Sequence, residues 1–145
     1  MIQRIQTVFL LLIVVTYILI FEFPFAISSV AGTGFLADKD FDVYDSPVLL
    51  IIAGLGGLLA LISIFLYKNR GVQVRLCYLS MVFSILLVVT AVVLFYNQAK
   101  TMISKGEIDD SIGIYLPVLI LVFGYLASRF IRKDEKTVKS MDRLR

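Results

Sequence analysis

The chain has 145 residues, 59% of them hydrophobic, with fourteen Lys and Arg against eleven Asp and Glu. A mean hydropathy of +0.93 lies far outside the habit of soluble domains, which are roughly 45–50% apolar, and the length suits one small bundle with no second folded domain. The net charge of +3 does not point to nucleic acid, because the basic residues flank apolar stretches and form no compact basic domain.

The first apolar stretch covers about residues 5–26, behind Arg4. Pro24 predicts a bend or an end to its helix, and Gly32 and Gly34 open the loop that follows. A rival reading makes this stretch a signal peptide with Ser29-Val30-Ala31 as its cleavage site. The apolar run is longer than the roughly 7–15 residues of a signal core, which favours a retained span. Glu22 is the one acid inside an apolar stretch. Seventeen steps of ~1.5 Å from Ile5 put it near the far edge of a ~30 Å hydrocarbon core, where a wetted interfacial carboxylate is the expected role. A deeper position would make it a candidate for proton or cation coupling.

The loop after the first span carries Asp38, Asp40, Asp42 and Asp45 against Lys39. It lacks the glycine and terminal glutamate of a calcium loop, so a solvated acidic loop is expected. Ser46-Pro47 then reads as an N-cap followed by proline at the first helical position, opening a second span over about 47–67. Within it Ala53, Gly56, Gly57, Ala60 and Ser63 form a small-residue stripe at helical spacing. Such stripes let backbones approach closely in lipid, where hiding apolar surface gains little. The expected use is packing within the bundle, with a homodimer seam or partner-docking face as the alternative.

The basic turn around Lys68, Arg70 and Arg75 leads to a third span over about 75–96, with Cys77 near its start. A lone cysteine in an apolar run is expected to pack as a small hydrophobe. The loop beyond is again acidic, with Glu107, Asp109 and Asp110 against Lys100 and Lys105. Asp109, Asp110 and Ser111 are expected to cap a fourth span over about 111–131 and complement its dipole, and Pro117 to kink it modestly. Residues 132–145 form a basic tail in which Ile131, Val138, Met141 and Leu144 can share a helical face.

The expected fold is therefore all-α, a membrane four-helix bundle spanning 1–145 as one domain. Short loops allow the positive-inside rule to orient it. Arg4, Lys68, Arg70, Arg75, Arg129, Arg132, Lys133, Lys136, Lys139, Arg143 and Arg145 fall on one side, and Lys39, Lys100 and Lys105 on the other. Both termini are thus expected in the cytoplasm. Phe21, Phe23, Phe25, Phe95, Tyr96 and Tyr115 are expected as interfacial aromatics on the outer side.

No histidine occurs, which removes Ser–His and Cys–His pairs and the commonest zinc ligand. No metal, cofactor or catalytic motif is present, so no enzyme activity is expected. The opening Met1-Ile2-Gln3-Arg4-Ile5-Gln6-Thr7 and the closing run from Lys133-Asp134-Glu135-Lys136 to Ser140-Met141-Asp142-Arg143-Leu144-Arg145 resemble a bacterial domain-of-unknown-function family of small four-span inner-membrane proteins. That resemblance implies location and topology and carries no site residues.

Two functions compete. The first is a non-enzymatic scaffold or accessory subunit, whose Arg4, Arg75, Arg129, Arg132, Lys133, Lys136, Lys139, Arg143 and Arg145 meet anionic lipid headgroups or a membrane-protein partner. The second is a small dimeric transporter or channel with Glu22 as its coupling carboxylate. Small four-span multidrug exporters have that size, but they bury a glutamate deep in the first helix and use shorter loops.

Overall fold

The computed structural model describes residues 3–28, 38–99 and 108–142. The suggested cleavage site, Gly32, Gly34, Lys100, Lys105 and Glu107 lie outside them. In chain order the elements are α1 (Gln3–Glu22), β1 (Ala26–Ser28), β2 (Asp40–Phe41), α2 (Pro47–Phe65), α3 (Arg70–Ala99), β3 (Ile108–Asp110), a 3₁₀ turn (Ile112–Ile114) and α4 (Leu116–Asp142). Each of the four helices is long and apolar enough to cross a membrane.

The helices pack as a ring, α1 on α2, α2 on α3, α3 on α4 and α4 back on α1. One spacing explains the ring. Buried positions fall at Gln6, Leu10, Ile13, Tyr17 and Ile20 in α1, and at Leu49, Ala53, Gly56, Ala60 and Ser63 in α2. In α3 they include Gln73, Cys77, Ser80, Ser84, Leu87 and Ala91, and in α4 Pro117, Ile120, Gly124, Ala127, Ile131 and Asp134. All four series alternate steps of three and four residues, the pattern that keeps one stripe facing its neighbours in a left-handed bundle. The other faces expose large apolar side chains along their length, among them Leu11, Ile18, Leu58, Val82, Val89 and Val122. An apolar surface of this extent suits hydrocarbon and not water.

Tyr17 locks the middle. Its ring lies against Gly56 and Gly57, so closely that a Cβ at Gly56 would stand 2.6 Å from the ring carbon Cζ. Its hydroxyl donates to the Ser80 carbonyl at 2.7 Å, and the Ser80 hydroxyl donates to the Gly56 carbonyl at 3.0 Å. Ser84 donates to the Pro117 carbonyl at 3.0 Å and the Cys77 thiol to the Gly124 carbonyl at 3.5 Å. These groups use the second lone pair of helical carbonyls, so these buried hydroxyls and the thiol are satisfied without an additional polar partner.

The first departure from expectation is a small sheet at the end where α1 finishes. β1 is its central strand, antiparallel to β2 on one side and β3 on the other, with Ala26 opposite both Phe41 and Asp110. The acidic loops are therefore tied together at the described strands. Gly113 permits this: its N–H donates to the Pro24 carbonyl at 3.1 Å, and a Cβ there would stand 2.6 Å from the Phe23 carbonyl oxygen. Phe25, expected at a headgroup interface, is buried instead. It packs on Phe41, which in turn meets Phe95, with ring centroids 5.9 and 5.7 Å apart.

The helix ends also differ from the sequence reading. α1 stops at Glu22, short of 26, because Pro24 and the strand take over. Asp109 and Asp110 belong to β3, so no acid stands in the first turn of α4. Pro117 is the second residue of α4, where it displaces no internal hydrogen bond and imposes no kink. Ser46 holds the N-cap position of α2 with extended backbone, but its hydroxyl makes no cap bond. α3 begins at Arg70, five residues before the expected start, and α4 runs unbroken through the basic segment to Asp142. Those 27 residues measure about 40 Å, roughly 10 Å more than a hydrocarbon core.

Candidate functional site

The bundle has two unlike ends. The loop end holds the sheet; the terminal end holds the start of α1, the turn from α2 to α3 and the last turns of α4. At the terminal end the outermost described seam position of every helix is polar: Gln6, Ser63, Gln73 and Asp134, each buried. Phe9 and Phe130 stack one turn inward, centroids 5.4 Å apart and planes 7° apart, which sets Gln6 level with Asp134.

Arg70 closes this layer from α3. Its guanidinium donates to the Asp134 backbone carbonyl at 3.0 Å and stands 2.8 Å from Asp134 Oδ2. The second contact is an ion pair whose angle falls short of an aligned hydrogen bond. The amide oxygens of Gln6 and Gln73 are buried and accept no protein hydrogen bond. Ser63 turns its hydroxyl onto the Ala60 carbonyl at 3.0 Å. The layer thus keeps unpaired amide acceptors among buried side chains, which leaves it polar inside an otherwise largely apolar bundle.

Beside the layer, on the outer side of α3 and α4, lies an open cleft of about 400 Å³ lined by Tyr78, Tyr125, Ser128, Arg129, Arg132, Lys133 and Lys136. The Arg132 guanidinium carbon lies 5.2 Å from the centre of the Tyr78 ring, within cation–π range. At the loop end a second cleft between the same two helices, of about 290 Å³, is apolar, with Phe25, Phe41, Val88, Ala91, Phe95 and Pro117 among its walls. Above it the acids shape the chain. The Asp42 N–H donates to Asp45 Oδ2 at 2.8 Å and the Tyr44 N–H to Asp42 Oδ1 at 2.7 Å, so two of the loop aspartates act as turn formers. Burial pushes the Asp45 carboxyl up to about 6, against the pull of the Asp42 amide and with added repulsion from Asp42, Asp38 and Asp40. No group of three or more metal-ligating His, Cys, Asp or Glu side chains occurs among the described residues.

The residues singled out in the sequence separate by location. Ala53, Gly56, Ala60 and Ser63 are buried on one face of α2, with Gly57 half-buried beside Tyr17. Glu22 is exposed on the last residue of α1, away from the seam. Arg129, Arg132, Lys133 and Lys136 share the basic cleft, whereas Arg75 is exposed on α3 outside its lining residues. Arg4 and Lys139 belong to α1 and α4, with side chains outside the described set, as are Arg143 and Arg145 altogether. Arg70, counted in the sequence among the basic residues of one side, turns inward to Asp134. Sequence reasoning missed Tyr17, Gln6, Gln73 and Asp134. The signal for Asp134 was its spacing, three residues beyond Ile131 and seven beyond Ala127, which continues the buried stripe of α4.

A family model described as Domain of unknown function (DUF4293) matches residues 2–144. No curated protein and no solved structure matches the chain.

Proposed function

Because the chain belongs to this domain-of-unknown-function family, we propose its role from its own residues: a non-enzymatic scaffold or accessory subunit of a complex in a bacterial inner membrane, with both termini cytoplasmic. The observation that carries the reading is the distribution of charge along the bundle. Among the described residues Asp134 is the one charged side chain that is buried, and it lies at the terminal end in contact with Arg70. Between the two ends the seam is filled by apolar and small residues, with hydroxyls bonded to carbonyls. A coupling carboxylate works from within such a seam, and Glu22 is exposed beyond it. That position supports the scaffold over the transporter. The basic side fits the cytoplasmic leaflet by the positive-inside rule and by attraction to anionic headgroups.

Affinity purification in mild detergent with mass spectrometry of retained proteins is the test. A reproducible stoichiometric membrane-protein partner is expected. A lone homodimer that supports ion or solute flux in liposomes, lost in Glu22→Gln, would replace the scaffold by the transporter.

A further inference from the structure

We propose that the cleft between α3 and α4 at the terminal end is a binding site for the phosphate-bearing headgroup of an anionic phospholipid. The proposal rests on reading the four helices as membrane spans with this end in a headgroup layer; it does not depend on the scaffold role.

Three independent observations converge there. The cations Arg129, Arg132, Lys133 and Lys136 recur at intervals of three, one and three residues, so the helical period gathers them along one face of α4, where all are exposed and line the same cleft. Asp134, within the same run, is withdrawn from that face into the bundle, where it meets Arg70. Second, the cleft floor carries Tyr78 and Tyr125, 37% and 58% exposed; such rings have an apolar body and a polar tip that suit the boundary between chains and headgroups. Arg132 lies over the Tyr78 ring. A guanidinium held by its face keeps its edge donors for the paired oxygens of a phosphate.

The third observation selects a lipid over a free phosphate. Beyond the tyrosines, towards the middle of the bundle, Val82 and Ile85 continue the Tyr78 face of α3. Val122 and Val118 continue the Tyr125 face of α4, and all four are exposed. A headgroup seated in the cleft thus has an apolar track for its acyl chains directly below. A free anion has no use for that track, and a soluble protein partner could not reach it inside a bilayer.

The test uses the full chain in mild detergent, titrated in mixed micelles with phosphatidylglycerol or phosphatidylcholine and read by native mass spectrometry. Phosphatidylglycerol is expected to bind preferentially. Lys133→Gln combined with Lys136→Gln should weaken it about thirtyfold, at the strength typical of two lysines near anionic lipid. Lys39→Gln with Lys68→Gln, which removes the same charge outside the cleft, should leave binding unchanged. Equal affinity for the two lipids, or equal losses in the two double variants, would overturn the proposal. Displacement of the lipid by inorganic phosphate at comparable concentration would assign the cleft to free phosphate instead.

Should the cleft variant fail to fold, phosphatidylglycerol with a photoreactive headgroup should cross-link the wild type at Tyr78 or within residues 125–136, and cross-linking elsewhere alone would overturn the proposal. If the double variant loses a co-purifying protein and keeps its lipid, the face docks protein and the proposal falls while the scaffold reading stands. Lipid binding as expected with no retained partner reverses that outcome.

Discussion

The clefts at the two ends lie between the same pair of helices and have opposite chemistry. At the loop end α3 and α4 part beneath a sheet, and aromatic side chains line the gap. At the terminal end they part beside a polar layer, and tyrosines and cations line it. What differs is the lining: apolar and aromatic residues at one end, Ala91 and Pro117 of the seams among them, and tyrosines and cations on the outer face at the other. At the loop end backbone pairing between distant segments closes the molecule, so acidic side chains are free to shape turns. At the terminal end side chains do the closing, through Arg70 and Asp134. One end is organised by main chain, the other by charge.

The largest expected effect tests the charge-organised end. Asp134→Leu leaves Arg70 partly buried without its carboxylate, and breaking such a pair typically costs about 3–5 kcal/mol. Adding Arg70→Leu should recover most of that loss. Thermal melting in detergent of the two single variants and the double gives the comparison, and additive losses would show that the pair is not coupled. Hydrogen exchange of the strand amides at the loop end should change little in Asp134→Leu if the ends are independent.

A smaller effect is expected where the ends are joined. Gly56→Leu must displace the Tyr17 ring, and overpacking of this kind costs about 1–3 kcal/mol. Both ends should loosen together, whereas Leu50→Ala, at a position 41% exposed, should barely move the melting temperature. Equal melting of the two variants would remove the small-residue stripe as the joining contact.

The smallest effect belongs to pH at the loop end. The Asp45 carboxyl moves from an ordinary value of 3.8 up to about 6 in the folded chain. The folded state then holds a proton that the unfolded state has released, so stability falls as pH rises from about 4 to about 6. Hydrogen exchange of the strand amides should quicken across that window, and Asp45→Asn, which keeps an oxygen for the Asp42 amide, should flatten the change.

Much of the fold was legible. Long uncharged runs predict the helices, and the stripe Ala53, Gly56, Ala60 and Ser63 marks the inward face of α2 because small residues differ visibly from their neighbours. The other seams were hidden for a physical reason. In lipid the outward face is as apolar as the inward one, so Leu10 and Leu11 look alike although one is buried and the other half exposed. The sheet was invisible because its strands are two or three residues long and pair positions as distant in sequence as Ser28 and Ile108. Arg70 and Lys133 looked equivalent as membrane-edge cations; one faces an acid inside the bundle and the other a cleft outside it.

Hydrophobic length and charge asymmetry belong to the sequence alone, because transfer of a segment into hydrocarbon depends on its own side chains and flanks. From them came four helices, an acidic end, a basic end and the expected orientation. Tertiary structure decided which polar groups meet. Tyr17 crossing to Ser80, Asp134 reaching Arg70 and the Tyr78 ring of α3 meeting Arg132 of α4 depend on helix register and rotation. Close packing sets these between segments far apart in the chain, and no local pattern of residues encodes them.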